Sequence, residues 1–297
     1  VVQQTFATAS EAAGYDVWHL AAHGPEAELN LTHNTQVAML AAGVAVWRVW
    51  QAQSSVVPAF MAGHSLGEYT ALVCAGALDF GDAIRLVALR GRYMQEAVPA
   101  GAGAMAALLG LDDEQVVEIC RRAAEDEIVA AANFNSPGQV VISGHAHAVA
   151  RAVERAKTAG VKRAIMLPVS VPSHCALMQP AALRFAEHLH KTTFMAPAVA
   201  VINNVDVAVC TEPAALRDAL VRQLYSPVRW SAIIRTLADR GVSTLLECGP
   251  GKVLSGLNKR IDTRLESYAL ENKAGLEQAL DKLGVNSNKE LEHAAER

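Results

Sequence analysis

The sequence predicts an α/β protein: a parallel sheet covered by helices on both faces, with a smaller unit of order β-α-β-β-α-β inserted into it. Three observations lead there. Apolar runs of strand length alternate with amphipathic stretches of helix length on both sides of the insertion, which requires crossover connections and a sheet buried on both faces. Between Pro99-Ala-Gly-Ala-Gly and Pro168 the pattern changes to a compact set of strands around a hairpin turn. Residues 56–77, VVPAFMAGHSLGEYTALVCAGA, read as a strand, a tight turn around Ser65 and a helix, the context a nucleophile elbow needs.

The elements follow in order. Residues 1–14 read as an amphipathic helix with Phe6 and Ala9 inward, and 34–53 as a long apolar helix with Gln36 in its first turn. In the serine unit, Val56, Val57, Phe60 and Met61 form the apolar run of a strand, and Gly63-His64-Ser65-Leu66-Gly67 carries the G-x-S-x-G pattern. Gly63 and Gly67 leave room for close backbone packing there. A helix starts at Leu66 and stops at Gly76. Asp79 opens the next helix, where Phe80, Ala83, Ile84, Val87, Gly91 and Met94 fall on one stripe at about 100° per residue. Arg90 falls at the edge of that stripe, where a charge needs a partner or a ligand.

Within residues 100–168, a strand at 104–111 precedes a helix at 112–125, capped by Asp112 or Asp113. Strands at 128–133 and 139–143 are joined by the turn FNSPG. A helix at 145–159 ends at Gly160, and 161–168 is the last strand. This is the split, ferredoxin-like order. The larger unit resumes with a turn at 169–175, a helix at 178–190 and a strand at 199–204. Helices at 213–224 and 231–240, a strand at 244–247, the turn CGPGK and a helix at 253–259 complete it. The domains are therefore 1–99 with 169–297, discontinuous in sequence, and 100–168. Residues 286–297 read as a polar, solvated tail.

Composition excludes several classes. The chain has 297 residues, 52% of them hydrophobic, enough for a large core. A formal net charge of −4 argues against a general nucleic-acid binder. Five scattered cysteines without paired spacing indicate reduced thiols and a cytoplasmic protein. Neither CxxC nor HExxH occurs, so no metal site is expected. No apolar run reaches membrane-spanning length, and residues 37–50, interrupted by Arg48, read as a core helix. The start has neither the order of a signal peptide nor an initiator methionine, so the chain is expected to begin inside a longer protein.

A serine hydroxyl needs a base to become a nucleophile. The helix N-terminus behind Ser65 points N–H groups at it, which makes the Leu66 backbone N–H a candidate oxyanion donor. Of ten histidines, His145, His147, His188 and His190 read as surface residues. His19, His23, His33 and His293 lie in loop-like or tail contexts, and alternation about the elbow points His64 away from the hydroxyl. His174, in VPSHC between a strand and a helix, is the candidate base. No acidic residue between Ser65 and His174 sits in an obvious strand-end turn of the larger unit. A Ser–His dyad held by a neutral acceptor is therefore expected in place of a triad. Arg90 has two readings: a helix-edge ion pair, or a planar fork for an acyl group with a free carboxylate.

The segments GHSLGEYTALVCAGAL, LRGRYMQEAVP, NFNSPGQVVISG, LPVSVPSHCALM, INNVDV, RDALVRQLYSPVRW and ECGPGKVLSGL together resemble the bacterial malonyl-CoA:acyl carrier protein transacylases, from near the N-terminus to about Ala269. The resemblance implies an α/β-hydrolase-like core with a ferredoxin-like insertion. It makes Ser65 the acyl-accepting nucleophile, His174 the base and Arg90 the partner of the malonyl carboxylate. Gln223 is implied to hold His174 through its main-chain carbonyl. Gln36, Asn133 and Asn135 are implied near the acyl and pantetheine path, although the two asparagines also read as turn residues.

The expected partners are malonyl-CoA and acyl carrier protein, in fatty acid biosynthesis, with no resident cofactor, no nucleic acid, no membrane and a monomeric chain. Arg151, Arg155, Lys157, Lys162 and Arg163 are candidate contacts for an acidic carrier, or simply a solvated helix face. Members of that family begin with a strand and a GQGSQ turn that supplies a second oxyanion N–H. This sequence starts beyond such a turn, so that strand and donor are expected ahead of Val1. The alternatives are a serine esterase or thioesterase, a polyketide acyltransferase, and a non-catalytic carrier-binding component.

Overall fold

The structure is a computed structural model and describes residues 1–169 and 171–285. The tail expected at 286–297, with His293, lies outside the described residues, as does Ser170. The chain opens with helices α1 (Val2–Ala13), α2 (Val17–His23), α3 (Glu26–Leu29) and α4 (Thr32–Gln53). Phe6 and Ala9 of α1 are buried as its pattern requires. Helices α2 and α3 were not legible as such: both are short, and the histidines of α2 read as loop.

Strand β1 (Phe60–Ala62) and helix α5 (Leu66–Cys74) form the serine unit. The strand is shorter than its apolar run suggests. Val57 is 75% exposed, and Pro58, which has no N–H to donate, precedes the first paired residue. Gly76, at φ 74°, ends the serine unit as expected. Helix α6 (Phe80–Glu96) is capped by the Asp79 side chain, which accepts from the Asp82 N–H; such a cap stabilises by about 1 kcal/mol. Its buried face includes the whole predicted stripe and also Arg90.

The middle of the chain runs β2 (Gly103–Leu109), α7 (Asp113–Ala124), β3 (Val129–Ser136), β4 (Gln139–His145), α8 (Ala146–Thr158) and β5 (Arg163–Met166). These strands form an antiparallel sheet in the order β3-β4-β2-β5. Alternation sorts β2: Ala106 and Leu108 pack with Val116 of α7 and Val149 of α8, while Met105 and Ala107 face the other side with Val141. Asp112 caps α7 in a capping box with Gln115. Strand β3 runs through Ser136, so Asn133 and Asn135 are strand residues and not turn residues. The hairpin turn is Pro137-Gly138, with Gly138 at φ 71°.

A 3₁₀ turn (Ala176–Met178) leads into α9 (Gln179–Lys191), then β6 (Ala200–Ile202), α10 (Pro213–Gln223), α11 (Trp230–Asp239), β7 (Thr244–Glu247), α12 (Val253–Ile261), β8 (Glu266–Ala269) and α13 (Lys273–Lys282). The parallel strands are β1 with β6 and β7 with β8. Among the described residues they form two separate pairs and not the single sheet expected. Apolar packing joins them instead: Phe60, Ala62 and Leu245 share one cluster with Ile202, Trp230 and Ile234. Backbone bonds from Phe134 to Val228 and from Val228 to Ala132, each 2.9 Å, tie β3 to the larger unit. All five cysteines are unpaired, and burial pushes the Cys120 and Cys248 thiols up to about 12. No helix among the described residues is long and apolar enough to cross a membrane.

Candidate active site

Ser65 stands between β1 and α5 at φ 51° and ψ −107°, a conformation that an L-residue keeps only when its surroundings enforce it. Two neighbours do so. A Cβ at Gly63 would run into the Gly67 carbonyl, whereas Gly67 faces open space, so the crowding argument holds for Gly63 alone. Gly63→Ala is expected to destabilise the chain by at least about 2 kcal/mol in thermal or denaturant unfolding. Asn204, just past β6, is the second neighbour. Its Oδ1 accepts the Ser65 N–H at 2.7 Å and its Nδ2 donates to the Gly63 carbonyl at 2.7 Å. The Gly67 and Glu68 N–H groups bond back to His64 and Ser65. The Leu66 N–H is left without an acceptor among the described residues.

His174 meets the serine as its spacing suggested. Its Nε2 lies 2.8 Å from Ser65 Oγ, and its Nδ1 lies 2.8 Å from the Gln223 main-chain carbonyl. A carbonyl only accepts, so Nδ1 carries the proton and Nε2 is the bare acceptor facing the serine hydroxyl. The ring is 4% exposed. Burial first, and then the charge of Arg90, lower its pKa to about 3, which keeps the imidazole neutral. His64 points elsewhere: its Nε2 meets Asn135 Oδ1 at 2.8 Å, and its ring lies 5.9 Å from that of Trp230. Burial lowers its pKa.

Arg90 is not at a helix edge but inside, 2% exposed. One Nη donates to Gln36 Oε1 at 2.7 Å. The other donates to Ser65 Oγ at 3.1 Å and to Gln223 Oε1 at 2.9 Å. Tyr69 stacks beneath it at 5.5 Å. The site thus gathers Ser65, His174, Arg90, Gln36 and Gln223, while Asn135 is engaged with His64. Asn133 is buried on β3, beside the bridge to Val228. In the basic cluster of the small unit, two of the five side chains are engaged. Arg151 is tied to the Ala123 and Ala124 carbonyls and to Glu127, and Lys157 to Glu154.

Three contributions were not legible in the sequence. The Gln223 side chain donates to Ser65 O at 3.0 Å and to Glu68 Oε2 at 2.9 Å, besides accepting from Arg90. Glu68 is 3% exposed and also accepts the Asn204 N–H at 2.9 Å. Burial pushes its carboxyl up to about 7. An acidic residue in a first helical turn reads as an ordinary partner of the helix dipole, and an asparagine at a strand end as a turn residue. Neither pattern marks a buried role.

A hydroxyl on a forced turn, a neutral imidazole against it and a buried cation beside both make a geometry suited to acyl transfer. A model of the acyl transferase domain family matches residues 3–269. The chain belongs to that family. Among its relatives, the malonyl CoA-acyl carrier protein transacylase of Salmonella typhimurium is 58% identical over 280 residues, spanning 94% of this chain and 91% of that protein. The Bacillus subtilis transacylase is 48% identical, spanning 88% of this chain and 82% of its own length. Solved acyltransferase structures agree. The Coxiella burnetii transacylase superposes with a TM-score of 0.94 at 50% identity, covering 95% of this chain and 89% of that one. A malonyl-transacylase in complex with a holo type II PKS acyl-carrier protein gives 0.93 at 55% identity, covering 95% and 91%.

Proposed function

We propose that this acyltransferase moves the malonyl group from malonyl-CoA to the phosphopantetheine thiol of acyl carrier protein, through a malonyl-Ser65 ester, in fatty acid synthesis. The observation that carries the reading is the convergence of His174 Nε2 and an Arg90 Nη on one Ser65 oxygen. His174 takes the hydroxyl proton as Ser65 Oγ attacks the thioester carbonyl. The C–S bond breaks, and CoA leaves with that proton. The carrier thiol then gives its proton to His174 and attacks the ester, and Ser65 leaves with the proton returned. The Leu66 N–H takes the oxyanion. Arg90 pairs with the malonyl carboxylate; acetyl would leave that buried charge unpaired. Gln36 holds Arg90, Gln223 holds His174, and Asn133 and Asn135 border the pantetheine path, Asn135 acting through His64.

In the same reading the core is α/β-hydrolase-like over 1–99 and 169–297, with a ferredoxin-like unit at 100–168. The strand order of the antiparallel sheet supports the second assignment. A polyketide carrier is the second acceptor, favoured by the carrier-bound structural neighbour. Intact-protein mass spectrometry after brief exposure to malonyl-CoA tests the function. The expected result is one malonyl adduct that holo-carrier discharges and water does not. Rapid loss to water would make the protein a thioesterase.

A further inference from the structure

A carboxylate in the first turn of a helix ordinarily faces solvent. Glu68, three residues after Ser65, faces inward, a costly placement unless it secures something. What it touches is specific: one oxygen, Oε2, accepts from both Gln223 Nε2 and the Asn204 N–H, each at 2.9 Å.

We propose that Glu68 is a positioning residue for acyl selection, fixing the Gln223 amide and, through it, the Arg90 guanidinium. This rests on the reading of Arg90 as the partner of the acyl carboxylate. The Gln223 amide has two orientations, and its neighbours permit one. Around Nε2 stand only acceptors, Glu68 Oε2, the Ser65 carbonyl and, at 3.5 Å, Asn204 Oδ1. Facing Oε1 stands only a donor, the Arg90 Nη. Inverting the amide would set NH₂ against the guanidinium and an oxygen against the carboxylate. Glu68 Oε2, held in place by the Asn204 N–H as well, is the acceptor whose reach does most to hold the orientation.

The relay also explains why the two charges are not paired directly. Among the described residues no ion pair joins Glu68 to Arg90; the amide of Gln223 stands between them. A direct pair would occupy the planar fork. The relay restrains one Nη and Gln36 the other, with the Tyr69 ring beneath the guanidinium. The same Glu68 oxygen steadies Asn204, which clamps the elbow, so the acyl group's two anchors share one foundation.

Two variants separate geometry from charge. Glu68→Gln keeps an oxygen at the same reach without the charge; Glu68→Asp keeps the charge but falls one methylene short of both partners. Thermal unfolding establishes that each is folded, and kcat and KM are measured with malonyl-CoA and acetyl-CoA. Glu68→Gln is expected to hold the malonyl-over-acetyl ratio of kcat/KM within about threefold. Glu68→Asp is expected to lower it about tenfold, mainly through the KM for malonyl-CoA, the loss of one hydrogen bond. An unchanged ratio in folded Glu68→Asp, or a larger fall in Glu68→Gln than in Glu68→Asp, would overturn the proposal. Arg90→Ala serves as the control. If it leaves the ratio intact, the carboxylate role of Arg90 fails; if it collapses the ratio while Glu68→Asp does not, only the role of Glu68 fails.

Discussion

Ser65→Ala is expected to leave no malonyl adduct and to cut transfer to the carrier by about 10⁶, the scale of loss when a serine enzyme loses its nucleophile. The substitution should spare the fold. Asn204 grips the backbone of residue 65 and not its side chain, and the Arg90 Nη that loses Ser65 Oγ keeps Gln223 Oε1. Unfolding temperature and adduct mass, measured on the same sample, separate lost chemistry from lost structure. A malonyl adduct surviving in the variant would place the nucleophile elsewhere.

His174→Ala is expected to slow malonyl-serine formation by about 10³, within the range for removal of a general base. The wild-type pH profile carries the sharper signature. Burial and Arg90 hold the imidazole neutral down to about 3, so the acid limb of acylation due to this residue should lie well below 6.5. A limb at 6.5 would mean that the ring is solvated or that another histidine is the base. Stability follows with a definite sign. The folded pKa is depressed, so the contribution of His174 is complete above the unfolded value of 6.5 and is lost as pH falls towards 3. Glu68 runs the other way: its raised pKa favours the folded chain below about 4.5, and that contribution is lost as pH rises through about 7.

The parts of the site that sequence reasoning reached share a cause. Ser65 and His174 sit at breaks in periodicity, a glycine-framed turn and a proline-containing turn, where local pattern is informative. Arg90 interrupts an apolar stripe, so its charge was conspicuous, although its full burial was not. Gln36, Gln223 and Asn135 came from resemblance, since amides at helix and strand positions carry no periodic signal. Glu68 and Asn204 escaped both routes because their roles depend on one another across 136 positions of chain. The fold divides similarly. Amphipathic helices such as α6 and α7 were legible to within a residue or two, because stripe and cap agree. How the short parallel strands group depends on which three-residue ladders form, and no local pattern records that.

The bridge between β3 and Val228 has a mechanical consequence. Together with the His64–Asn135 bond and the approach of Pro172 to Gly103, it rivets the antiparallel unit to the body that carries the serine. A jaw hinged at the two chain crossings would have to break these fastenings at every turnover. The two units are therefore expected to travel as one rigid piece.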